Sequence, residues 1–243
     1  MKKIQKIILA FMLGIVPIQS ALADSKANAL ANAALKGNLE QVKTLIEKEG
    51  VDINARESTT GATALIGASF KGHLEVVQYL ISKGADINAK DNDDGTALME
   101  ASTAGHLAVV KALVEGKKGF LSMFSKGADI NAKTNDGGTA LMWASMQGHL
   151  EVVKYLIDKG ADINAKTKGK AFYGLTALMF ASDNGQLEVV KYLISKGANV
   201  NAVASLERKG IVKSFTALDW AKTNAIKQVL LKAGAKTADE IQK

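Results

Sequence analysis

The side chains best suited to metal chemistry are three histidines, His73, His106 and His149, which occupy the same position in three copies of a Gly-His-Leu motif. Imidazole nitrogens are common zinc ligands, but all ligands of one zinc ion must converge within about 2 Å of the metal. Because the motif recurs along the chain, equivalent atoms of successive copies lie several times farther apart than that. The pattern therefore predicts a structural role for these histidines and no metal site.

A second candidate is the acidic segment Asp91-Asn-Asp-Asp-Gly95, which is similar to the start of a calcium-binding loop. Its ligand spacing is one residue short, and Ser102 stands at the twelfth position, where such a loop requires glutamate. No glycine-rich phosphate loop follows a strand pattern, and no catalytic Ser/His/Asp or Cys/His set stands outside the repeats. The chain has no cysteine. We therefore expect no enzyme activity, no metal and no cofactor.

The elements that carry these residues follow from repeated motifs. Asp-Ile-Asn-Ala begins at Asp52, Asp86, Asp129 and Asp162, and a fifth copy reads Asn199-Val-Asn-Ala. Thr-Ala-Leu begins at Thr63, Thr96, Thr139, Thr176 and Thr216, in steps of 33, 43, 37 and 40 residues. A base period of 33 residues indicates a stacked array in which neighbouring units supply each other's core.

One unit illustrates the structure that these motifs predict. Thr139 is expected to cap a first helix, which Gly148 ends, and a second amphipathic helix follows and ends at Gly160. Residues 128–138, which precede the first helix, are rich in Asp, Asn and Gly and predict an extended arm with a tight turn. The Asp of Asp-Ile-Asn-Ala is expected to accept hydrogen bonds from backbone donors in that turn. The inward stripe of the first helix consists of Leu141, Ala144 and Ser145.

Two longer motifs recur in the same order and phase. Thr63-Ala-Leu-Ile-Gly-Ala has counterparts at Thr96, Thr139 and Thr176, and Gly72-His-Leu-Glu-Val-Val is repeated at Gly148. In these motifs the chain resembles an ankyrin-repeat protein, although alanine stands where that family usually has proline. The resemblance implies an all-α repeat solenoid of about six helix-turn-helix units, joined by β-turn arms, that binds other proteins through a concave groove.

The units are predicted to form a single domain of residues 24–237, followed by a tail of residues 238–243. Three insertions interrupt the rhythm, at residues 115–124 and near residues 168–174 and 203–213. We expect the first to interrupt or extend the second helix of the third unit, and the other two to lengthen arms. The predicted units cover residues 24–56, 57–90, 91–133, 134–166, 167–202 and 203–237.

The first 23 residues follow a different pattern. Three lysines within the first six residues precede the apolar residues 7–16, and Ala21 and Ala23 stand at positions −3 and −1 of a cleavage site. This pattern predicts a secretory signal peptide, because the apolar run is too short for a membrane span; the alternative is an uncleaved anchor. Cleavage after Ala23 would lower the net charge from +7 to +4, since three lysines and no acid would leave. That weakly basic chain does not predict nucleic-acid binding.

A column of variable residues is the first candidate binding surface. Because each first helix turns Leu and the Ala three residues later to the core, the second, fifth and sixth residues after that Leu lie on the opposite face. By the resemblance, this face lines the concave groove; the alternative is that Trp143, Phe180 and Trp220 pack on each other between units. The predicted partner-binding residues are Phe70, Lys71, Glu100, Trp143, Met146, Gln147, Phe180, Asp183, Asn184 and Trp220.

The insertion at residues 115–124 is the second candidate surface. Two lysines precede an apolar cluster there, and this combination suits either an extra turn packed on the array or a binding spot for a partner or a membrane interface. The residues of this hypothesis are Lys117, Lys118, Phe120 and Phe124.

We interpret the chain as an exported protein-binding module: a scaffold, or a protective or inhibitory partner of a protein in the periplasm of a Gram-negative bacterium. One alternative is a secreted, effector-type binder of a host or competitor protein. Another is an enzyme, but the insertions hold no His and only Glu115 and Glu207 as acids. The expected partner is another protein and not a nucleic acid, membrane contact is expected only through residues 115–124, and the module is expected to be monomeric.

Overall fold

A computed structural model describes residues 15–116, 127–169, 172–208 and 211–243. These residues form a stack of units, most of which contain two packed helices. The first helices are α1 (Ile15–Leu35), α3 (Ala64–Lys71), α5 (Ala97–Ala104), α7 (Ala140–Gln147) and α9 (Ala177–Asp183). The second helices are α2 (Leu39–Lys43, continued by the π-helical turn Thr44–Lys48), α4 (Leu74–Ser82), α6 (Leu107–Glu115), α8 (Leu150–Asp158) and α10 (Leu187–Ser195). The chain ends with α11 (Asn224–Lys232) and α12 (Ala238–Ile241).

Threonine and glycine set the ends of the first helices, as the sequence predicts. In the four Thr-Ala-Leu motifs before Thr216, the threonine hydroxyl accepts a hydrogen bond from the backbone N–H three residues later, at 3.4 Å. The glycines of the three Gly-His-Leu motifs then end the helices in the left-handed conformation, with φ between 75° and 80°. A residue with a Cβ is strained there, so these glycines fix the sharp reversal into the second helix.

A continuous apolar core joins the units. The first helices pack on one another in chain order, α1 on α3, α3 on α5, α5 on α7 and α7 on α9. Leu65, Leu98, Leu141 and Leu178, the leucines of the motif, are each 1% exposed. Since each leucine is covered largely by neighbouring units, the stack confirms the predicted all-α repeat solenoid.

The arms are connected by a ladder of side-chain hydrogen bonds. Within each arm, the Asp or Asn that opens the Asp-Ile-Asn-Ala motif accepts a bond from the N–H two residues later, at 2.9–3.0 Å, as predicted. The asparagine at the third position of each motif reaches the following arm, where its side-chain oxygen accepts a backbone N–H at 2.8 Å. The sequence did not indicate this second set, which fixes the spacing of successive arms.

The insertion in the third unit begins where α6 ends, at Glu115. On its far side, the N–H of Ala128 donates to the carbonyl oxygen of Leu113 at 2.9 Å. The same bond joins Ala161 to Leu156, at 2.9 Å, in the next unit, which has no insertion. The array therefore resumes in its regular geometry. The insertion residues Lys117, Lys118, Phe120 and Phe124 lie outside the described residues.

The two arm insertions form a small antiparallel sheet that the sequence did not predict. Its strands are β1 (Phe172–Tyr173), β2 (Ala204–Arg208) and β3 (Ile211–Phe215), in the order β1-β2-β3. Tyr173 pairs with Ser205, and Ala204 pairs with Phe215. Two insertions that are separated in sequence by a complete pair of helices thus become one structural element.

The expectation that the last unit has a first helix, carrying Trp220, is wrong. Residues 217–220 form a turn, and Thr223 already caps α11 by accepting the N–H of Ile226 at 3.2 Å. Thr223 comes only seven positions after Thr216, whereas Gln186, the residue before α10, comes ten positions after Thr176. That distance leaves no room for two helical turns and a loop. Residues 238–243, predicted as a tail, begin with the short helix α12.

Helix α1 crosses the junction after Ala23 at which cleavage is predicted. Beyond the junction it belongs to the array, since Ala27, Leu30 and Ala34 are buried and α1 packs on α3. None of the helices in the described part of the chain is both long enough and apolar enough to cross a membrane. Cleavage itself stays a prediction.

Candidate protein-binding groove

The predicted column of variable residues lies on helices α3, α5, α7 and α9, and its last member, Trp220, lies in a turn. Glu100, Trp143 and Phe180 occupy the same position in successive units, and each side chain is half-buried. The ring centroids of Trp143 and Phe180 are 5.9 Å apart, with the ring planes inclined by 44°. The rings of Trp143 and Phe180 thus pack on each other between units, and each keeps part of its surface exposed. Partner binding by this face stays a prediction.

A cavity of about 510 Å³ opens beside these rings. Trp143, Phe180, Asp183 and Trp220, four of the predicted partner-binding residues, line it. Its volume is within the range of about 300–1,000 Å³ that is common for ligand sites. The arms contribute the other lining residues, which are Asp93, Thr134, Asn135, Asp136, Gly138, Thr167, Gly169 and Leu175.

Glycine lets Trp143 lie against its own arm. A Cβ placed at Gly138 would stand 2.8 Å from Cζ2 of the indole, which is closer than real contacts allow. The Thr134 hydroxyl accepts the N–H of Gly138 at 2.9 Å and holds the arm in this position. The Gly-Gly pair before Thr139 is therefore required by the indole as well as by the turn.

Trp220 is positioned by parts of the chain outside the regular repeat. The centroid of its ring lies 5.4 Å from that of Phe215, the last residue of β3. The carboxylate of Asp219 accepts the backbone N–H groups of Thr216 and Ala238, at 2.8 and 2.9 Å, and so ties the turn to α12. Sequence reasoning selected Trp220, which lines the cavity, but placed it on a helix, whereas it lies in a turn.

The cavity has an acidic rim. Asp93, Asp136 and Asp183 are exposed, and their carboxylates form no ion pair or hydrogen bond with the part of the chain that the structure describes. In the preceding unit of the column, Glu100 is half-buried and forms no ion pair with any described residue. Burial, and then the nearby charge of Asp91, raise the pKa of Glu100 above its usual range. An unpaired carboxylate in such a place is stabilised by any cation that approaches it.

The other six predicted residues do not line this cavity: Phe70, Lys71, Glu100, Met146, Gln147 and Asn184. Phe70 is 42% exposed on α3, and the Lys71 ammonium lies 4.9 Å from the centre of its ring. The Asn184 amide donates to the carbonyl oxygen of Phe180 at 2.9 Å, which gives it a role at the helix end. Gln147 is exposed and Met146 is half-buried.

The histidine column has the predicted structural role. Nε2 of His73, His106 and His149 lies 3.0–3.1 Å from a carbonyl oxygen near the end of the first helix of the preceding unit. Gln186 occupies the same position in the fifth unit and donates to the carbonyl oxygen of Met146 at 3.2 Å. Within the described residues, no three His, Cys, Asp or Glu side chains are grouped closely enough to hold a metal ion.

Sequence reasoning missed the contribution of the arms to the cavity. Asp93, Asn135 and Asp136 occupy the arm tips, just before the Thr-Ala-Leu motifs. The available signal was their position: a residue two to four places before a helix cap lies beside the first residues of that helix, where the variable column begins. Helix periodicity alone carries no information about this neighbour.

The stacked helices define a helical repeat protein, and the cavity lies on the variable face of its first helices. A family model described as ankyrin repeats, in three copies, matches residues 7–91, 30–120, 88–167, 116–204 and 168–239. The chain therefore belongs to the ankyrin-repeat family and is a protein–protein interaction module. Members of this family are typically binding scaffolds without enzyme activity. No curated protein matches the sequence.

Proposed function

We propose that this chain is an exported binding module, and that the cavity between Trp143 and Trp220 contacts its partner, a protein outside the cytoplasm. The single observation that carries the binding site is the aromatic cavity. It gathers both tryptophans of the chain and Phe180 on the variable face of the array. Large aromatic residues in pockets are the usual anchors of protein interfaces.

The aromatic residues pack against the core but are not enclosed by it. The leucines on the opposite face of the same helices, Leu141 and Leu178, are each 1% exposed, whereas Trp143 and Phe180 stay half-buried. A partner that covered the rings would remove further apolar surface from water, and each Å² so buried contributes about 25 cal/mol. The free energy available to binding is therefore concentrated in the cavity.

The binding site is tested by the double substitution Trp143→Ala and Phe180→Ala. We expect the helical content to be unchanged and the affinity for a captured partner to fall by about 2 kcal/mol or more, the scale of hot-spot truncation. Phe70→Ala is the matched control, because Phe70 is an exposed aromatic residue of the same column outside the cavity. The Phe70→Ala variant should bind the captured partner with unchanged affinity.

Two results would count against this site. If the double variant fails to fold, as Leu141→Ala should, the rings belong to the core between the units. If it folds and binds its partner with undiminished affinity, the contact lies elsewhere on the array.

Export is supported by the N-terminal pattern. The lysine-rich start, the apolar residues 7–16 and the small residues Ala21 and Ala23 combine the three parts of a cleavable signal peptide. After cleavage, α1 would begin at Asp24 and Ser25, residue types that favour helix N-termini through capping and through the helix dipole. The remaining helix could therefore stay in place as the first layer of the stack.

The export proposal is tested by intact-mass measurement on protein from fractionated cells of the native host. We expect the mass of a chain that begins at Asp24, recovered outside the cytoplasm. A chain that retains Met1, or that is recovered only from the cytosol, would refute export and leave the binding site unaffected.

A further inference from the structure

We infer that the aromatic cavity receives a basic side chain, specifically an arginine, presented by an extended segment of the partner protein. This inference rests on the proposed function and specifies the chemistry of the partner. It follows from which residues line the cavity and from which charges around it are unpaired.

The first step is the charge of the cavity. Three of its described lining residues, Asp93, Asp136 and Asp183, are acidic and none is basic, although the whole chain carries 31 Lys and Arg against 24 Asp and Glu. Lys168 is the nearest described lysine along the arm, and its backbone N–H donates to the carbonyl oxygen of Asp136 at 2.8 Å. Its side chain makes no ion pair with Asp136. The local charge is thus opposite to that of the chain as a whole.

The second step is the combination of rings and carboxylates. A cation within about 6 Å of an aromatic face is attracted by the ring, and tryptophan is the strongest such ring. Guanidinium suits both parts of this cavity, because its plane stacks on an indole while its edges donate to carboxylates. An uncharged apolar side chain would contact the rings but leave the carboxylates unused, and an acidic one would be repelled.

The third step is the size and position of the cavity. Its volume of about 510 Å³ leaves room for a long side chain together with the residues that flank it. Along the column, Glu100 of the preceding unit adds a half-buried carboxylate that no described cation pairs with. A partner segment that crosses the units would therefore place a second basic residue near Glu100. A free small cation would occupy only one of the two places.

The test uses a library of random seven-residue peptides selected on the purified full chain as the cell processes it. We expect the selected peptides to be enriched in arginine. In the strongest one, replacing arginine by citrulline, which keeps the shape and removes the charge, should weaken binding about tenfold or more. The two tryptophans of the chain both line the cavity, so intrinsic fluorescence reports binding directly.

Variants that remove one carboxylate each show where on the protein the arginine peptide binds. Asp136→Asn and Asp183→Asn should each weaken binding of the arginine peptide by about threefold and reduce its dependence on salt. Glu75→Gln is the matched control, because Glu75 is an exposed acid on α4 without an ion pair in the described part of the chain, and binding should not change. Circular dichroism establishes that each variant is folded.

The outcomes separate this inference from the proposed function. A selection that yields no peptides, or peptides without excess arginine, overturns the inference, and so does equal binding of the citrulline peptide. Free arginine amide that binds as tightly as the peptide would also overturn it, since the site would then hold a small cation. If the aspartate variants bind the captured partner normally while Trp143→Ala with Phe180→Ala does not, the proposed function stands and the inference fails.

Discussion

A column of buried serine hydroxyls makes a quantitative prediction about the array. Ser69, Ser102 and Ser145 occupy one position of successive first helices and are fully buried, and none of their hydroxyl oxygens has a hydrogen-bond partner among the described residues. Ser182 occupies the same position in the fifth unit, but its hydroxyl donates to the carbonyl oxygen of Leu178 at 2.8 Å. This serine position thus provides three hydroxyls without a partner and one hydrogen-bonded hydroxyl for comparison in the same environment.

Replacing the three unsatisfied serines by alanine should stabilise the protein. Leaving a buried polar group without a partner costs about 1–3 kcal/mol, and alanine is also the better helix former by about half a kcal/mol. The small void left by the oxygen offsets part of this gain. We therefore expect about 1 kcal/mol of stabilisation for Ser145→Ala alone. The triple variant should gain about 2–3 kcal/mol, since each serine lies in a different unit.

Ser182→Ala is the control and should have the opposite sign. It removes a hydrogen bond of ordinary length, and the loss of such a bond costs about 0.5–1.5 kcal/mol. Urea unfolding followed by far-UV circular dichroism measures both effects, and the triple variant should also melt roughly 4–10 °C higher. If the triple variant is destabilised as Ser182→Ala is, the three hydroxyls have partners and the reasoning fails.

Two further predictions concern Glu100 and the insertion in the third unit. Because the pKa of Glu100 is raised in the folded protein, its contribution to stability is full below the unfolded pKa and is lost as the pH rises through the folded value. Glu100→Gln should therefore raise the urea midpoint at pH 7 and leave it unchanged near pH 3, and an equal effect at both pH values would contradict the assignment. Deleting residues 115–124 joins Val114 to Ser125 and shortens the loop closed by the bond between Leu113 and Ala128 about threefold, which gains about 1 kcal/mol. A lower urea midpoint after the deletion would mean that the insertion packs into the core.

The fold could be predicted in detail because its determinants are local and repeated. Thr139 caps a helix, Gly148 ends it, and Asp129 accepts a backbone hydrogen bond in the turn of the arm before it. Each of these roles depends on neighbours within a few residues. Repetition then confirms each assignment at several places in the chain. The stacking follows as well, since a unit with one apolar face has only its neighbours to cover it.

The features that could not be predicted depend on contacts between distant segments. The sheet pairs residues 172–173 with residues 205–206, and neither segment alternates long enough to signal a strand without its partner. Likewise, the hydrogen bond that the N–H of Asp162 donates to the side-chain oxygen of Asn131 joins two arms. The sequence of a single arm does not indicate this bond. The cavity could not be predicted for the same reason, because arms, helices and the last turn together form its wall.

The departures from the repeat and the candidate site coincide, and this coincidence favours a functional origin for the departures. The histidine position keeps its hydrogen bond even where Gln186 replaces histidine, so the array tolerates changes that preserve the stack. The arm insertions form the sheet beside that stack, and Ala204 of β2 joins the apolar core. Strand β3 brings Phe215 to within 5.4 Å of Trp220, and Trp220 closes the cavity at the end where the helical column stops. The sheet therefore serves the stack through Ala204 and the candidate site through Phe215, whose ring packs on Trp220 at the end of the array where the last complete helix pair stops.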